Sequence, residues 1–371
     1  MIKIVIDDKI PNIQGVFEPY AKVVYAPGAK IDAAMVKDAD ALVIRTRTHC
    51  NKELLDGSSV KMIATATIGY DHIDRDYCQQ NNIQWQNAPG CNSWSVAQYM
   101  AAFFASYSLT KQDDVKGKTL GVVGLGNVGS KVARYAQLLG MRVLVNDPPL
   151  QESGVKEDFV SLDTIQREAD IITFHVPLTR DGKYPTYHMA DAAFFDGCQR
   201  KPVVCNTCRG EVFLTEDLKQ ALDCGLVSDV VIDCWEHEPN IDADLLARSL
   251  VTTPHIAGYS RDGKAKGTAM SVENIARFFD IPLHGWWPSD IEKPAVANID
   301  LTGLPTREAI WKAIMHTYPI EKETSLLKSS PETFENQRGD YPLRREFPAY
   351  SIHGASDEVN EILQKMNFQI G

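Results

Sequence analysis

Thr119-Leu120-Gly121-Val122-Val123-Gly124-Leu125-Gly126-Asn127-Val128-Gly129 passes from an apolar run straight into three closely spaced glycines, and the architecture follows from that junction. Its first part is apolar and predicts a buried strand, and Gly124, Gly126 and Gly129 follow at once in GxGxxG spacing. Asn127–Leu139 then reads as a helix, with Val128, Val132, Tyr135, Ala136 and Leu139 on one face. The first glycine permits a tight turn, the second lets a pyrophosphate approach the backbone, and the third lets the helix pack on the strand. The helix N-terminus, with Asn127 and Val128, adds N–H groups and a positive dipole end for the anion.

Asp147 closes the next predicted strand, Arg142–Asn146, near the position where a ribose-binding acid is expected. A second negative group about 4 Å away would cost roughly 4 kcal/mol per unit charge at an effective dielectric of 20. Pro148-Pro149-Leu150-Gln151 offers no arginine to offset that cost, so NAD is expected rather than NADP. Further apolar runs at Ile171–Val176, Val203–Asn206, Val230–Asp233 and Leu250–Thr253 alternate with helical stretches such as Thr215–Leu222. The result is a doubly wound α/β sheet of six strands.

Upstream, Ile2–Ile6, Val23–Tyr25, Ala41–Ile44 and Met62–Ala66 predict a second parallel sheet, with helical segments such as Asp32–Lys37 between them. Ala88-Pro89-Gly90 is a break, after which Ser93–Leu109 predicts a long helix crossing into the next domain. Gly263–Phe279 predicts a helix that returns the chain to the first domain, and His284-Gly285-Trp286-Trp287-Pro288 is a second break. The remaining segment is long enough for a small α/β unit, with Ile310, Trp311 and Ile314 along one side of a helix over Arg307–His316. The expected domains are 1–95 and 258–288 (one domain in two parts), 96–257, and 289–371.

Composition excludes other classes. The chain has 371 residues, 44% hydrophobic and 23% charged, the balance of a globular protein of two or three domains. A formal net charge of -11 repels a phosphate backbone, and basic residues gather no further than Arg45/Arg47 and Arg344/Arg345, so no nucleic-acid partner is expected. No apolar run reaches the roughly 20 residues of a membrane span. The N-terminal Met-Ile-Lys-Ile-Val-Ile-Asp-Asp lacks the features of a secretory signal, and the eight cysteines follow no disulfide spacing. A cytoplasmic protein with no membrane partner is expected.

Three residues sit just past predicted strand ends, where ligands bind in open α/β sheets. Arg209 follows Val203–Cys208, Glu238 lies in Asp233-Cys234-Trp235-Glu236-His237-Glu238-Pro239, and His255 lies in Thr252-Thr253-Pro254-His255-Ile256-Ala257-Gly258. An arginine binds a carboxylate or the reacting oxygen, a histidine takes a hydroxyl proton, and a glutamate orients that histidine. These types suit removal of hydrogen from a hydroxy acid. Cys205-Asn206-Thr207-Cys208 has CxxC spacing but no second ligand pair, so buried thiols are expected, and His72, His188 and His237 have no metal-ligand spacing. No metal is expected, and Trp286-Trp287 is read as an anchor at the domain junction.

The glycine fingerprint, Asn206–Gly210, Asp233–Pro239 and Thr253–Gly258 together resemble the D-2-hydroxyacid dehydrogenase family, as does Thr65-Ala66-Thr67-Ile68-Gly69-Tyr70-Asp71-His72-Ile73-Asp74, which is similar to that family's substrate-carboxylate loop. The resemblance implies a Rossmann-type NAD domain inserted in a split, flavodoxin-like substrate domain. It also implies Arg209 as substrate binder, Glu238 as partner of the base and His255 as acid/base, with domain closure excluding water. A narrower likeness within the family rests on Arg45-Thr46-Arg47-Thr48, on Asp147-Pro148-Pro149 and on the extra C-terminal unit. It implies a small phosphorylated hydroxy acid as substrate and a homodimer formed through residues 289–371. By the same likeness Thr46, Thr67 and Tyr259 contact substrate, together with the Ile68–Gly69 backbone. Thr207, Cys208, Arg209, Asp233 and Gly258 line the cofactor site, and Val176 passes beside it through its backbone. Arg45 and Arg47 are candidate phosphate donors; on a strand they project to alternate faces, and a salt bridge to a neighbouring acid is the competing reading. Two alternatives stay open: a dehydrogenase of another 2-hydroxy acid such as 3-phosphoglycerate, and a non-enzymatic NAD-sensing protein on the same scaffold.

Overall fold

The computed structural model describes residues 1–371 and divides into two compact units, Met1–Asn92 with Ser260–Glu292, and Ser93–Tyr259 with Lys293–Gly371. In the first unit β1 (Ile2–Asp7), β2 (Ala21–Ala26), β3 (Ala41–Ile44), β4 (Met62–Thr65) and β5 (Gln84–Gln86) form one parallel sheet, ordered β2-β1-β3-β4-β5. This is the flavodoxin-like order. The central strands are continuous apolar runs because helices cover both faces. Ile4, Ile6, Val43, Met62 and Ala64 face Val272, Ile275 and Ala276 of the Arg261–Phe279 helix, while Val5, Leu42, Ile44 and Ile63 face Val36, Leu54, Leu55 and Cys78. That helix lies so near the sheet that a Cβ at Gly267 would meet the Ala66 carbonyl oxygen at 2.8 Å, which only glycine avoids. Trp286 packs against this core, whereas Trp287 is 52% exposed.

The second unit is built on β6 (Thr119–Val123), β7 (Arg142–Asn146), β8 (Ile171–Phe174), β9 (Val203–Asn206), β10 (Asp229–Ile232) and β11 (Val251–Thr252). All pair in parallel, in the order β11-β10-β9-β8-β6-β7. Beyond β7 the chain returns for a single parallel bridge, Phe159 against Val145, with Val160 N–H donating to the Val145 carbonyl at 2.8 Å. Counting that vestige as the third strand restores the dinucleotide-fold order 3-2-1-4-5-6 with one strand added, and the order reverses between β6 and β8. The ligand crevice of such a sheet opens at that reversal, beyond Val123 and Phe174.

Residues after Lys293 add a small parallel sheet of β12 (Asn298–Asp300), β13 (Ser351–His353) and β14 (Gln369–Ile370). Its core is continuous with that of the six-stranded sheet. The Ser93–Lys111 helix is buried nearly all round, packed on the Gly129–Leu138 helix and on the Thr306–Thr317 helix, which presents Ile310, Trp311 and Ile314. A helix that is apolar on every side belongs in an interior. Arg344 ties the layers together. Its guanidinium donates to Gln98 Oε1 at 3.1 Å, to the carbonyls of Ser95, Ile256 and Ala257 at 3.1, 3.3 and 2.6 Å, and to Tyr341 Oη at 3.1 Å. No helix is long and apolar enough to cross a membrane.

Candidate active site

In the second unit the glycine loop leaves β6 with Gly124 at φ 91°, where a Cβ would meet the His175 carbonyl oxygen at 2.7 Å. A Cβ on Gly129 would collide with the Gly124 carbonyl, so the helix starts tight against the strand. Around Gly126 nothing lies within 4 Å of where a Cβ would stand. Asp147 accepts from Leu125 N–H at 2.8 Å through Oδ2 and from Leu150 N–H at 3.0 Å through Oδ1. It thus braces the loop and caps the Pro148–Glu152 helix, and each oxygen keeps a lone pair for another donor.

Beyond β8 stand His175 and Val176. His175 is held between the Thr173 hydroxyl (Nε2, 3.0 Å) and the Thr207 hydroxyl (Nδ1, 3.2 Å). Burial pushes its pKa down to about 3, so the ring is neutral and fixes the Thr207 hydroxyl by a plain hydrogen bond. His175 was not legible as a site residue; its one signal is a histidine at the end of an apolar run beside Val176. Asn206 is a second such residue: Nδ2 donates to the Arg209 carbonyl at 2.8 Å and Oδ1 accepts from Cys208 N–H at 3.1 Å, which shapes the Thr207–Arg209 turn. The Arg209 side chain starts from that turn, with Nη1 donating to the Cys208 carbonyl at 2.8 Å. All eight thiols are free, Cys205 buried and Cys208 half-buried.

Asp233, 1% exposed, directly follows β10. Its Oδ1 accepts from the Thr253 hydroxyl at 2.7 Å and from the N–H groups of Ile256 and Ala257 at 2.7 and 3.0 Å, and its carbonyl accepts from His255 N–H at 2.8 Å. One carboxylate therefore sets the course of the loop that carries His255 and Gly258. His255 itself lies at φ 56°, a left-handed conformation costly for a side chain of its size and kept where surroundings over-determine it.

His255 Nδ1 is 2.8 Å from Glu238 Oε2 and 3.1 Å from Oε1. An ionised carboxylate only accepts, so Nδ1 carries the hydrogen and the neutral ring presents the Nε2 lone pair. Burial alone raises the Glu238 carboxyl; hydrogen bonds from His255 and Trp235 N–H (2.8 Å) and the nearby Arg338 charge outweigh it, and the net pKa lies below the ordinary value. Arg338, from the C-terminal segment, places Nη1 4.0 Å from Glu238 Oε2 and donates from Nε to Tyr259 Oη at 3.2 Å. Cys234, Glu238 and His255 bring ligand-type atoms within 4.8 Å of one another. Burial keeps the Cys234 thiol protonated, the imidazole and carboxylate bind each other, and Arg338 adds a positive charge; each works against a cation.

In the first unit Thr67, Ile68 and Gly69 form a turn beyond β4. All three carbonyls are taken: Thr67 by Ala88 N–H at 3.0 Å, Ile68 by Asn87 Nδ2 at 2.7 Å, and Gly69 by the Thr67 hydroxyl at 2.9 Å. The Ile68 and Gly69 N–H groups donate to no residue. The Thr67 hydroxyl also meets Thr65 Oγ1 at 2.7 Å, which meets His72 Nε2 at 3.1 Å, so that hydroxyl is engaged in shaping the turn. β3 ends at Ile44, so Arg45, Thr46 and Arg47 lie in the turn after it and strand alternation does not apply to the two arginines. Arg45 Nε pairs with Asp7 Oδ2 at 3.1 Å, the salt bridge weighed from the sequence, whereas Thr46 and Arg47 are exposed.

The chemistry of the second unit is that of a dehydrogenase: a dinucleotide-type glycine loop, a carboxylate just past the following strand and an imidazole held by a second carboxylate. The chain belongs to the D-isomer specific 2-hydroxyacid dehydrogenase family. A model of that family's NAD binding domain matches residues 92–257, and a model of a domain of unknown function matches 291–366. At full length, a Bacteroides thetaiotaomicron protein named erythronate-4-phosphate dehydrogenase is 53% identical, over 95% of this chain and 99% of its own. A Porphyromonas gingivalis protein of the same name is 40% identical, over 99% and 100%. Among solved structures, NAD+-bound 3-phosphoglycerate dehydrogenase of Entamoeba histolytica matches with a TM-score of 0.64 at 23% identity, over 78% of this chain and 99% of its own. D-lactate dehydrogenase of Aquifex aeolicus matches at 0.58 and 24%, over 75% and 95%. The protein is an NAD-dependent oxidoreductase, and its residues fit the cofactor: the open face over Gly126, the N–H groups of Asn127 and Val128, which donate to no residue, and the Asp147 carboxylate.

Proposed function

We propose that this chain oxidises 4-phospho-D-erythronate at C2 to 3-hydroxy-2-oxo-4-phosphobutanoate, a step of pyridoxal 5'-phosphate biosynthesis. The observation that carries it is the His255–Glu238 pair at 2.8 Å, set beyond the same sheet that bears the dinucleotide loop. The named relatives supply the substrate. NAD, when bound, accepts the hydride that leaves C2. His255 Nε2 takes the C2 hydroxyl proton, and the Glu238 carboxylate stabilises the imidazolium that results. Arg209 binds the substrate's carboxylate or reacting oxygen, and Ile68 and Gly69 offer N–H donors to the carboxylate, with Thr67 holding their turn. Arg45 is held on Asp7 by Nε alone, which keeps its Nη edge for a phosphate; Thr46, Arg47 and Tyr259 complete the substrate-facing set.

Gly124, Gly126, Asn127, Val128 and Gly129 receive the pyrophosphate, Asp147 the ribose, and Val176, Thr207, Cys208, Arg209, Asp233 and Gly258 line the remainder of the cofactor site. Residues 1–95 with 258–288 serve as substrate domain, 96–257 as NAD domain, and 289–371 as the dimerisation domain of a cytoplasmic homodimer. Nicotinamide absorbance with 4-phosphoerythronate, 3-phosphoglycerate and unphosphorylated hydroxy acids tests the reading. Preference for the four-carbon phosphate is expected, and preference for any other acid refutes the substrate. Sedimentation of the native protein at the mass of one chain refutes the dimer.

A further inference from the structure

Two arginines of the C-terminal segment reach the interior of the second unit, and they are bonded differently. Arg344 is 8% exposed and spends every nitrogen on protein acceptors. Arg338, on the short Phe334–Gly339 helix, has a side chain 25% exposed and makes one hydrogen bond, from Nε to Tyr259 Oη at 3.2 Å. Its nearest carboxylate oxygen, on Glu238, is 4.0 Å away, beyond hydrogen-bond range, and that carboxylate is already engaged by His255 and Trp235. Neither Nη group of Arg338 donates to any residue. A guanidinium so largely withdrawn from water is costly unless an anion meets it, and its planar fork suits carboxylate or phosphate oxygens.

We propose that Arg338 is a substrate-binding residue that holds the phosphate of the phosphorylated hydroxy acid through its Nη edge, an inference that rests on the substrate proposed above. Arg338 Nη1 and His255 Nδ1 approach the same Glu238 oxygen, Oε2, at 4.0 and 2.8 Å, so the guanidinium and the imidazole that receives the C2 proton converge on one carboxylate oxygen. In a 4-phospho acid the phosphorus lies four bonds from C2, about 5 Å along an extended chain, a span of the same order. The substrate's other anion, the C1 carboxylate, is bonded directly to C2 and belongs to Arg209 in the same scheme. Tyr259 Oη accepts from Arg338 Nε, so the phenol and the fork are fixed together.

The experiment measures kcat and KM for wild type, Arg338→Gln and Arg338→Lys with 4-phosphoerythronate and with erythronate, which differ only in the phosphate. NAD binding by fluorescence reports folding. Arg338→Gln should raise KM for the phosphorylated acid about 100-fold, as expected for a charged hydrogen-bonded contact, with a far smaller effect on erythronate. Arg338→Lys, which keeps the charge without the fork, should recover part of the preference and serves as the variant to read if the glutamine form fails to bind NAD. A wild type that prefers 4-phosphoerythronate, joined to variants that keep the full preference, overturns the phosphate contact alone. Equal losses of kcat on both acids also overturn it and make Arg338 a positioning residue for Glu238. A wild type that does not discriminate overturns the substrate and the contact with it.

Discussion

Replacing Glu238 by glutamine should separate orientation of the base from binding of the cofactor. The carboxylate lies 2.8 Å from His255 Nδ1, and the two side chains are 18% and 27% exposed. Two unit charges about 4 Å apart interact by about 4 kcal/mol at an effective dielectric of 20. Partial exposure halves this to about 2 kcal/mol, or about 30-fold in rate. The amide adds a second loss. Trp235 N–H, 2.8 Å from Oε1, claims the single oxygen of the glutamine, which turns its NH2 toward Nδ1. The imidazole then carries its hydrogen on Nε2, the wrong tautomer for a base, a change worth up to about 10⁴-fold in a comparable triad. The expected outcome is a fall in kcat of about 10³-fold, with NAD affinity within about threefold of wild type because no cofactor-facing group is altered. Initial rates by nicotinamide absorbance, with NAD titrated by protein fluorescence, read both quantities. A kcat within threefold of wild type would refute the reasoning, as would a loss confined to NAD binding.

Other outcomes follow from single side chains. Asp147→Ala removes the cap on Leu150 N–H and the brace on Leu125 N–H; urea denaturation should show a loss of about 1 kcal/mol, and the preference for NAD over NADP in kcat/KM should shrink. His175 stays neutral in the folded protein down to about pH 3, whereas the unfolded chain takes its proton below about pH 6.5, so the unfolded state binds more protons in that window. Stability should therefore fall as pH drops from about 6.5, by up to about 1.4 kcal/mol per pH unit for this group, and His175→Gln should flatten that fall in urea titrations between pH 4.5 and 7.5. Arg344→Met strips donors from three backbone carbonyls, Gln98 and Tyr341, and should cost about 3–5 kcal/mol in chemical denaturation.

Much of the architecture was legible because buried parallel strands are short, continuous apolar runs: Ile2–Asp7, Ala41–Ile44 and Val203–Asn206 announce themselves. Gln84–Gln86 does not, since an edge strand with one apolar residue carries no pattern, and the vestigial Phe159 strand is a single residue long. The glycine loop could be read because each glycine answers a local steric demand. The pairing of His255 with Glu238 was an inference from chemical type, and its distance comes only from how Asp233 fastens the 253–257 loop. His175 and Arg338 were not legible as site residues, because each depends on partners far away in sequence, Thr207 for one and Glu238 and Tyr259 for the other, whereas Asn206 bonds within its own turn, to Cys208 and Arg209, in a geometry that residue type alone does not announce. Arg45 was ambiguous in the sequence, and the partner on Asp7 settles which contact its Nε makes.

The split first unit bears on how the protein is made. The apolar face formed by Ile4, Ile6, Val43 and Ala64 is covered by Val272, Ile275 and Ala276, more than two hundred residues later. At a synthesis rate of 5–20 residues per second, roughly 10–40 s pass between emergence of that face and arrival of its cover. Throughout that interval the nascent β1–β4 sheet presents an unclosed hydrophobic surface, while the sheet from Thr119 to Thr252 emerges complete in one uninterrupted run. The strands of the central sheet can therefore pair during translation, although the Thr306–Thr317 helix that covers part of their core comes later still, and the older N-terminal strands must wait for the ribosome to pass residue 279, a period in which a holding chaperone has a defined target.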